Sequence, residues 1–178
     1  MRGIWLLPAS LGGFVLGKVW QQTRRPSSRP DGVVLVAWER FVALMCQAPK
    51  GEVSPRGHMG TFQMDARRLG DVGLMHGARK DVTGSWTGEW RSPLTREKFL
   101  GSMPLQYVAF SRSMRAMAPK VSRLVGSVVD GKQCTLSGLL GVGHVAGEGA
   151  VEGWARDAAV RRRFARTTEM FDKTNGVF

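Results

Sequence analysis

The sequence predicts an all-α, mainly helical single domain over residues 33–178, carried behind an extended N-terminal arm over residues 1–32. Three observations predict it. A chain of 178 residues fits one core plus an arm, and not two full cores. Its apolar share of 43%, with six Trp and nine Met, can fill that core with large and adaptable side chains. Beyond residue 33 the apolar residues recur at helical spacing, in short segments with short connections.

Each element follows from its own pattern. Residues 3–17 carry no charge and are mostly apolar, but Pro8, Gly12 and Gly13 weaken a helix there and Lys18 ends the run. A spanning helix needs about 20 apolar residues. Arg2 ahead of a short apolar run resembles a signal peptide, without a small-x-small cleavage site after it. Residues 21–32 (QQTRRPSSRPDG) read as an extended basic linker. Residues 1–32 are therefore expected to dock on a neighbouring chain or on a membrane.

From Val33 to Gln47 the stripe Val34, Trp38, Phe41, Val42 and Met45 predicts a helix with a buried face, leaving Glu39 toward water. Pro49, Gly51 and Pro55 mark a loop over 48–55. A second helix is expected over 61–75, and a loop or small β-turn excursion over 83–93 (TGSWTGEWRSP). The longest helical signal runs from Thr95 to Met117. Thr95 caps it, Glu97 sits in the first turn, and Pro104 should kink or split it. Phe99, Met103, Tyr107, Phe110, Met114 and Met117 trace its buried stripe. Val121, Leu124, Val125, Val128 and Val129 are spaced for a helix over 121–131. A small-residue helix over 135–147 contains GLLGVGHVAG, whose glycines let neighbours approach closely, and a last helix covers 148–164.

The formal charge of +12 directs the search for partners toward polyanions: nucleic acid, acidic lipid, or a bacterial wall with its acidic peptides and teichoic acids. No aromatic-basic binding motif supports the nucleic-acid class. Cys46 and Cys134 lie among apolar residues and read as buried free thiols. With His58, His76 and His144 they show no paired metal-ligand spacing, so neither a metal nor another cofactor is expected.

The chemistry concentrates in Ser54-Pro55-Arg56-Gly57-His58-Met59-Gly60-Thr61-Phe62-Gln63. Glycines there let the backbone bend beneath a sugar, and a Gln amide both donates to and accepts from N-acetyl and hydroxyl groups. Ser54, Gly57, Gly60 and Gln63 are similar to the Ser-x-x-Gly-x-x-Gly-x-x-Gln turn of soluble lytic transglycosylases and related lysozyme-like domains, while His58 departs from the small residue usual there. Phe99-Leu100-Gly101-Ser102-Met103-Pro104-Leu105-Gln106 and Gly138-Leu139-Leu140 with His144 and Gly147 resemble two helices of phage and secretion-associated relatives.

The resemblance implies a lysozyme-like domain in a phage virion or cell-puncturing machine, acting at the bacterial envelope on peptidoglycan. Ser54, Gly57, Gly60 and Gln63 would bind substrate, and residues 1–32 would meet other virion proteins. It also leaves room for a periplasmic membrane anchor, for non-specific polyanion contact, and for a virion structural or adaptor protein that keeps the fold without catalysis. Cleavage in that family rests on one glutamate at a helix end, which protonates the glycosidic oxygen. Here counting back from Ser54 lands on Met45, or on Ala48 if the loop is shorter. Glu52 is the carboxylate nearest the turn and the candidate catalytic acid, although Lys50 and Arg56 flank it.

Other residues carry two readings each. Trp86 and Trp90 could stack on sugars or pack the domain. Arg156, Arg161, Arg162, Arg163 and Arg166 could form a solvated face or a polyanion site. His144 is expected to be a satisfied core histidine, and residues 171–178 to dock by their two Phe.

Overall fold

The computed structural model describes Pro30 and residues 32–178, so the expected arm lies outside the described residues except for Pro30 and Gly32. The described chain is mainly helical, with two small two-stranded sheets. Among the described residues no helix is long and apolar enough to cross a membrane.

Helix α1 (Leu35–Met45) buries Trp38, Phe41, Val42 and Met45 as its spacing predicts, and Glu39 is exposed. Val34 departs from the expected core: it caps the helix in extended conformation and is 68% exposed, while Val33 takes the buried place. Cys46 follows the helix and is exposed, contrary to the buried thiol expected, whereas Cys134 is buried; both are free.

The helix expected over 61–75 is much shorter. Met59 bridges to Val53 and to Met64, which holds residues 53–64 in a tight β-like turn, and α2 covers only Ala66–Asp71. Asp65 caps α2 by accepting from the Arg68 amide at 2.7 Å, and Gly73 at φ +80° turns the chain away. The chain then enters a hairpin, β1 (Met75–Lys80) antiparallel to β2 (Trp86–Trp90), where the sequence read a helix end followed by a loop or small β-turn excursion.

The long helical signal divides into α3 (Arg96–Gly101) and α4 (Met103–Val121). Thr95 caps α3 as expected. The break falls at Ser102, two residues before Pro104. Ser102 is extended and accepts from the Leu105 amide, and Pro104 sits in the first turn of α4, where its missing N–H breaks no bond. The break resets the helical phase, so Met103 is 38% exposed rather than core. The helix expected over 121–131 does not form: Val121 closes α4 and no α-helix follows it there. A single 3-10 turn at Ser122–Leu124 leads to β3 (Val128–Val129) and β4 (Lys132–Gln133), joined at Asp130 and Gly131, both at positive φ. An Asp-Gly pair is the preferred two-residue hairpin turn, and here it outweighs the helical spacing of the valines.

Helix α5 (Leu136–Ala146) matches its expectation, capped by Thr135 and ended by Gly147 at φ +86°. It is buried over most of its length and packs between α4 and α8. The region expected as one helix over 148–164 is a 3-10 turn (Glu148–Ala150), α6 (Val151–Arg156) and α7 (Ala158–Arg163). A further helix, α8 (Ala165–Thr174), continues beyond it. Phe171 packs on Trp154 and Phe178 on Phe41, as the docked reading of the last residues expects. An aromatic core joins α1, α4 and the turn: Phe62 stacks on Phe110 at 4.3 Å, and Phe110 on Trp38 and Phe41.

Candidate functional site

The turn over 52–64 is closed by its own backbone. The Ser54 amide donates to the His58 carbonyl at 2.8 Å, and the Gly60 amide to the Glu52 carbonyl at 2.8 Å. Ser54 Oγ accepts from the His58 amide at 3.0 Å. Gln63 holds φ +50°, and its Nε2 donates to the Gly60 carbonyl at 2.9 Å.

This turn is fastened to the helices through Thr61. The Thr61 carbonyl accepts from the amides of Gln47 and Ala48, which ties down the end of α1. The Thr61 amide donates to Oε1 of Gln106, a buried side chain of α4, at 2.8 Å. Nε2 of Gln106 donates in turn to the carbonyls of Lys50, Phe99 and Leu100 at 3.0–3.1 Å. One buried amide thus sets the turn against both α3 and the loop before it.

Beside the turn lies a cleft of about 840 Å³. Gln47, Ser54, His58 and Gln63 line it together with Arg67, Arg68, Trp86, Lys120, Glu148 and Arg166. Ser54 and Gln63, two of the predicted binding residues, are therefore brought together on it. Gly57 and Gly60 are not among the lining residues and act behind it. Gly57 is at φ +78° against the Trp86 carbonyl, and Gly60 lies against Gln106. Glu52 is exposed and does not line the cleft, so the candidate acid is not brought together with Ser54 and Gln63.

Of the two residues reached by counting back from Ser54, Met45 is fully buried and Ala48 is not on the cleft wall. Between them Gln47 faces the cleft, and its side-chain oxygen accepts from Arg166. The cleft carboxylates are otherwise engaged or open to water. Asp65 caps α2, Glu148 pairs with Lys120 at 2.6 Å, and Asp71 is exposed.

The floor is organised by His144. Its Nε2 donates to the Phe62 carbonyl at 2.7 Å, and its Nδ1 accepts from Arg68 at 2.9 Å. Burial first, then the Arg68 charge, pushes its pKa down to about 3, so the ring is neutral at pH 7. His144 is thus the satisfied core histidine expected, and it also lines the cleft. Burial likewise holds His58 below its usual value. The two hairpin tryptophans separate: Trp90 packs on Phe99, while Trp86 lines the cleft with Arg67 and Lys80 near its ring.

Sequence reasoning missed Gln47 and Arg68. Gln47 falls between the two counts, and Arg68 lies on a helix whose start was read five residues too early. The Asp65 cap was the signal that could have placed it.

No protein-family model matches the chain, and neither a curated protein nor a solved structure matches it.

Proposed function

We propose that this chain is a peptidoglycan-engaging, lysozyme-like domain of a phage virion or cell-puncturing machine, one that grips the wall glycan without cutting it. The observation that carries this is the identity of Gln47. Counting back from Ser54 gives Met45 or Ala48, neither of which lines the cleft, and the residue between them that does line it is Gln47, an amide. An amide binds sugar hydroxyls but cannot protonate a glycosidic oxygen. The surroundings favour a sugar ligand: Gln63 on the wall, Trp86 offering an aromatic face, and a volume in the range of small-molecule clefts. In this reading residues 1–32 join the domain to other virion proteins, and its place of action is the bacterial envelope.

Co-sedimentation with purified cell walls tests it. The wild type should pellet with walls, and Trp86→Ala should bind about tenfold more weakly, the loss of roughly 1.4 kcal/mol that one aromatic contact supplies. Wild type and Glu52→Gln should both leave wall turbidity unchanged over hours. Clearing by the wild type would contradict the non-cleaving reading; failure to pellet would leave the virion structural role without glycan contact.

A further inference from the structure

We propose that the cleft selects acidic strands, and that Arg68, with Arg56 and Arg166, binds a carboxylate carried by the glycan, such as the lactyl acid of a muramyl residue. This rests on the reading that the cleft holds a glycan. Five cations line the cleft: Arg56, Arg67, Arg68, Lys120 and Arg166. Of these five, only Lys120 has a carboxylate of the described residues within 4.0 Å, from Glu148. Asp65, Glu148 and Asp71 lie in the field of Arg68, but none forms an ion pair with its guanidinium, and Glu148 is engaged by Lys120. Arg68 is half-buried on the floor, and both of its side-chain partners are neutral, His144 Nδ1 and the Gly143 carbonyl.

A desolvated cation without a counter-ion is costly unless a ligand supplies one. The two neutral bonds fix the plane of the guanidinium and leave three of its five N–H donors unengaged among the described residues, a fork suited to a carboxylate. Neutral His144 is part of this device. A protonated ring would lose its acceptor and repel Arg68. Arg166 enters from the first turn of α8, with one donor on the Gln47 oxygen. Arg56 is exposed at the rim. Together they place positive charge on the floor, at the helix end and at the lip of one cleft.

Calorimetric titration with two tetrasaccharides of equal length tests the inference: chitotetraose, which is neutral, and an alternating N-acetylglucosamine–N-acetylmuramic acid tetrasaccharide, which carries free lactyl carboxylates. The acidic ligand should bind at least about tenfold tighter at low salt, as charge-assisted bonds require, and the preference should shrink at high salt. Arg68→Gln should remove it. Because that variant also loses the contact to Gly143, Arg56→Gln/Arg166→Gln is the second arm and should reduce the preference without touching the floor. Arg162→Gln/Arg163→Gln, on α7 outside the cleft lining, should leave it intact. Equal affinity for both ligands overturns the inference and leaves the glycan reading standing. Binding of neither overturns both. An equal loss in the Arg162/Arg163 variant assigns the preference to overall charge and overturns the inference.

Discussion

Gly60 stands at φ +72°, and a methyl group added there would lie 2.4 Å from Gln106 Oε1. Two penalties meet at this one position: a backbone region that side chains avoid, and an overlap with a buried amide that cannot move without breaking its four hydrogen bonds. Gly60→Ala should therefore destabilise the fold by about 2–4 kcal/mol in urea unfolding. Gln106→Leu should cost about 3 kcal/mol, since it takes the buried partner from the Thr61 amide and from the Lys50 and Leu100 carbonyls, while the Phe99 carbonyl keeps the Ser102 amide. His144 gives the fold a pH dependence of definite sign. Its pKa is about 3 folded and 6.5 as a free side chain, so below pH 6.5 the unfolded chain binds one more proton. The contribution is fully present above pH 6.5 and is lost as pH falls toward 3, at about 1.4 kcal/mol per unit. Subtracting the unfolding profile of His144→Gln from that of the wild type should isolate this slope. A flat difference between pH 6 and 4 would mean that the ring is not buried against Arg68.

Helix α4 carries the residues that hold the turn, and within it Ser111 is fully buried with a hydroxyl that has no partner among the described residues. Ser111→Ala should raise stability by about 1 kcal/mol, read as a higher denaturant midpoint at unchanged slope. A loss of stability would imply a partner for that hydroxyl. Elements whose start and stop residues agree with their periodicity were legible in the sequence. α1 shows its stripe, and α5 runs from the Thr135 cap to Gly147. The elements misread are those where a local signal competes with spacing. Asp130-Gly131 makes a hairpin inside a helical pattern of valines. Ser102 restarts a helix in a new phase, so Met103 leaves the core. The Asp65 cap delays α2 until the Met59–Met64 bridge has closed. In each case a few side-chain-to-backbone bonds decide the boundary, and periodicity averaged over a dozen residues does not register them.

At the scale of the whole molecule, a net charge of +12 pointed to an acidic partner but not to where it would bind. The fold gathers five basic residues from the turn, α2, α4 and α8 around one cleft, a convergence of segments distant in sequence that no local pattern shows. Ser54 and Gln63 were legible because a short turn keeps its residues together. Gln47 and Arg68 were not, because their relevance depends on the chain after α1 being tied to the Thr61 carbonyl and on α2 meeting His144. On the proposed reading this cleft holds an uncut glycan. An amide-resolved NMR titration of the whole chain with the muramyl tetrasaccharide, following the ligand signals in the same tube, tests both halves of that reading. Saturable shifts are expected at Gln47, Ser54, Gln63, Trp86 and the Arg68 side chain, with the ligand intact after a day. Shifts confined to α7 and the far surface, or the appearance of cleaved sugar, would contradict it.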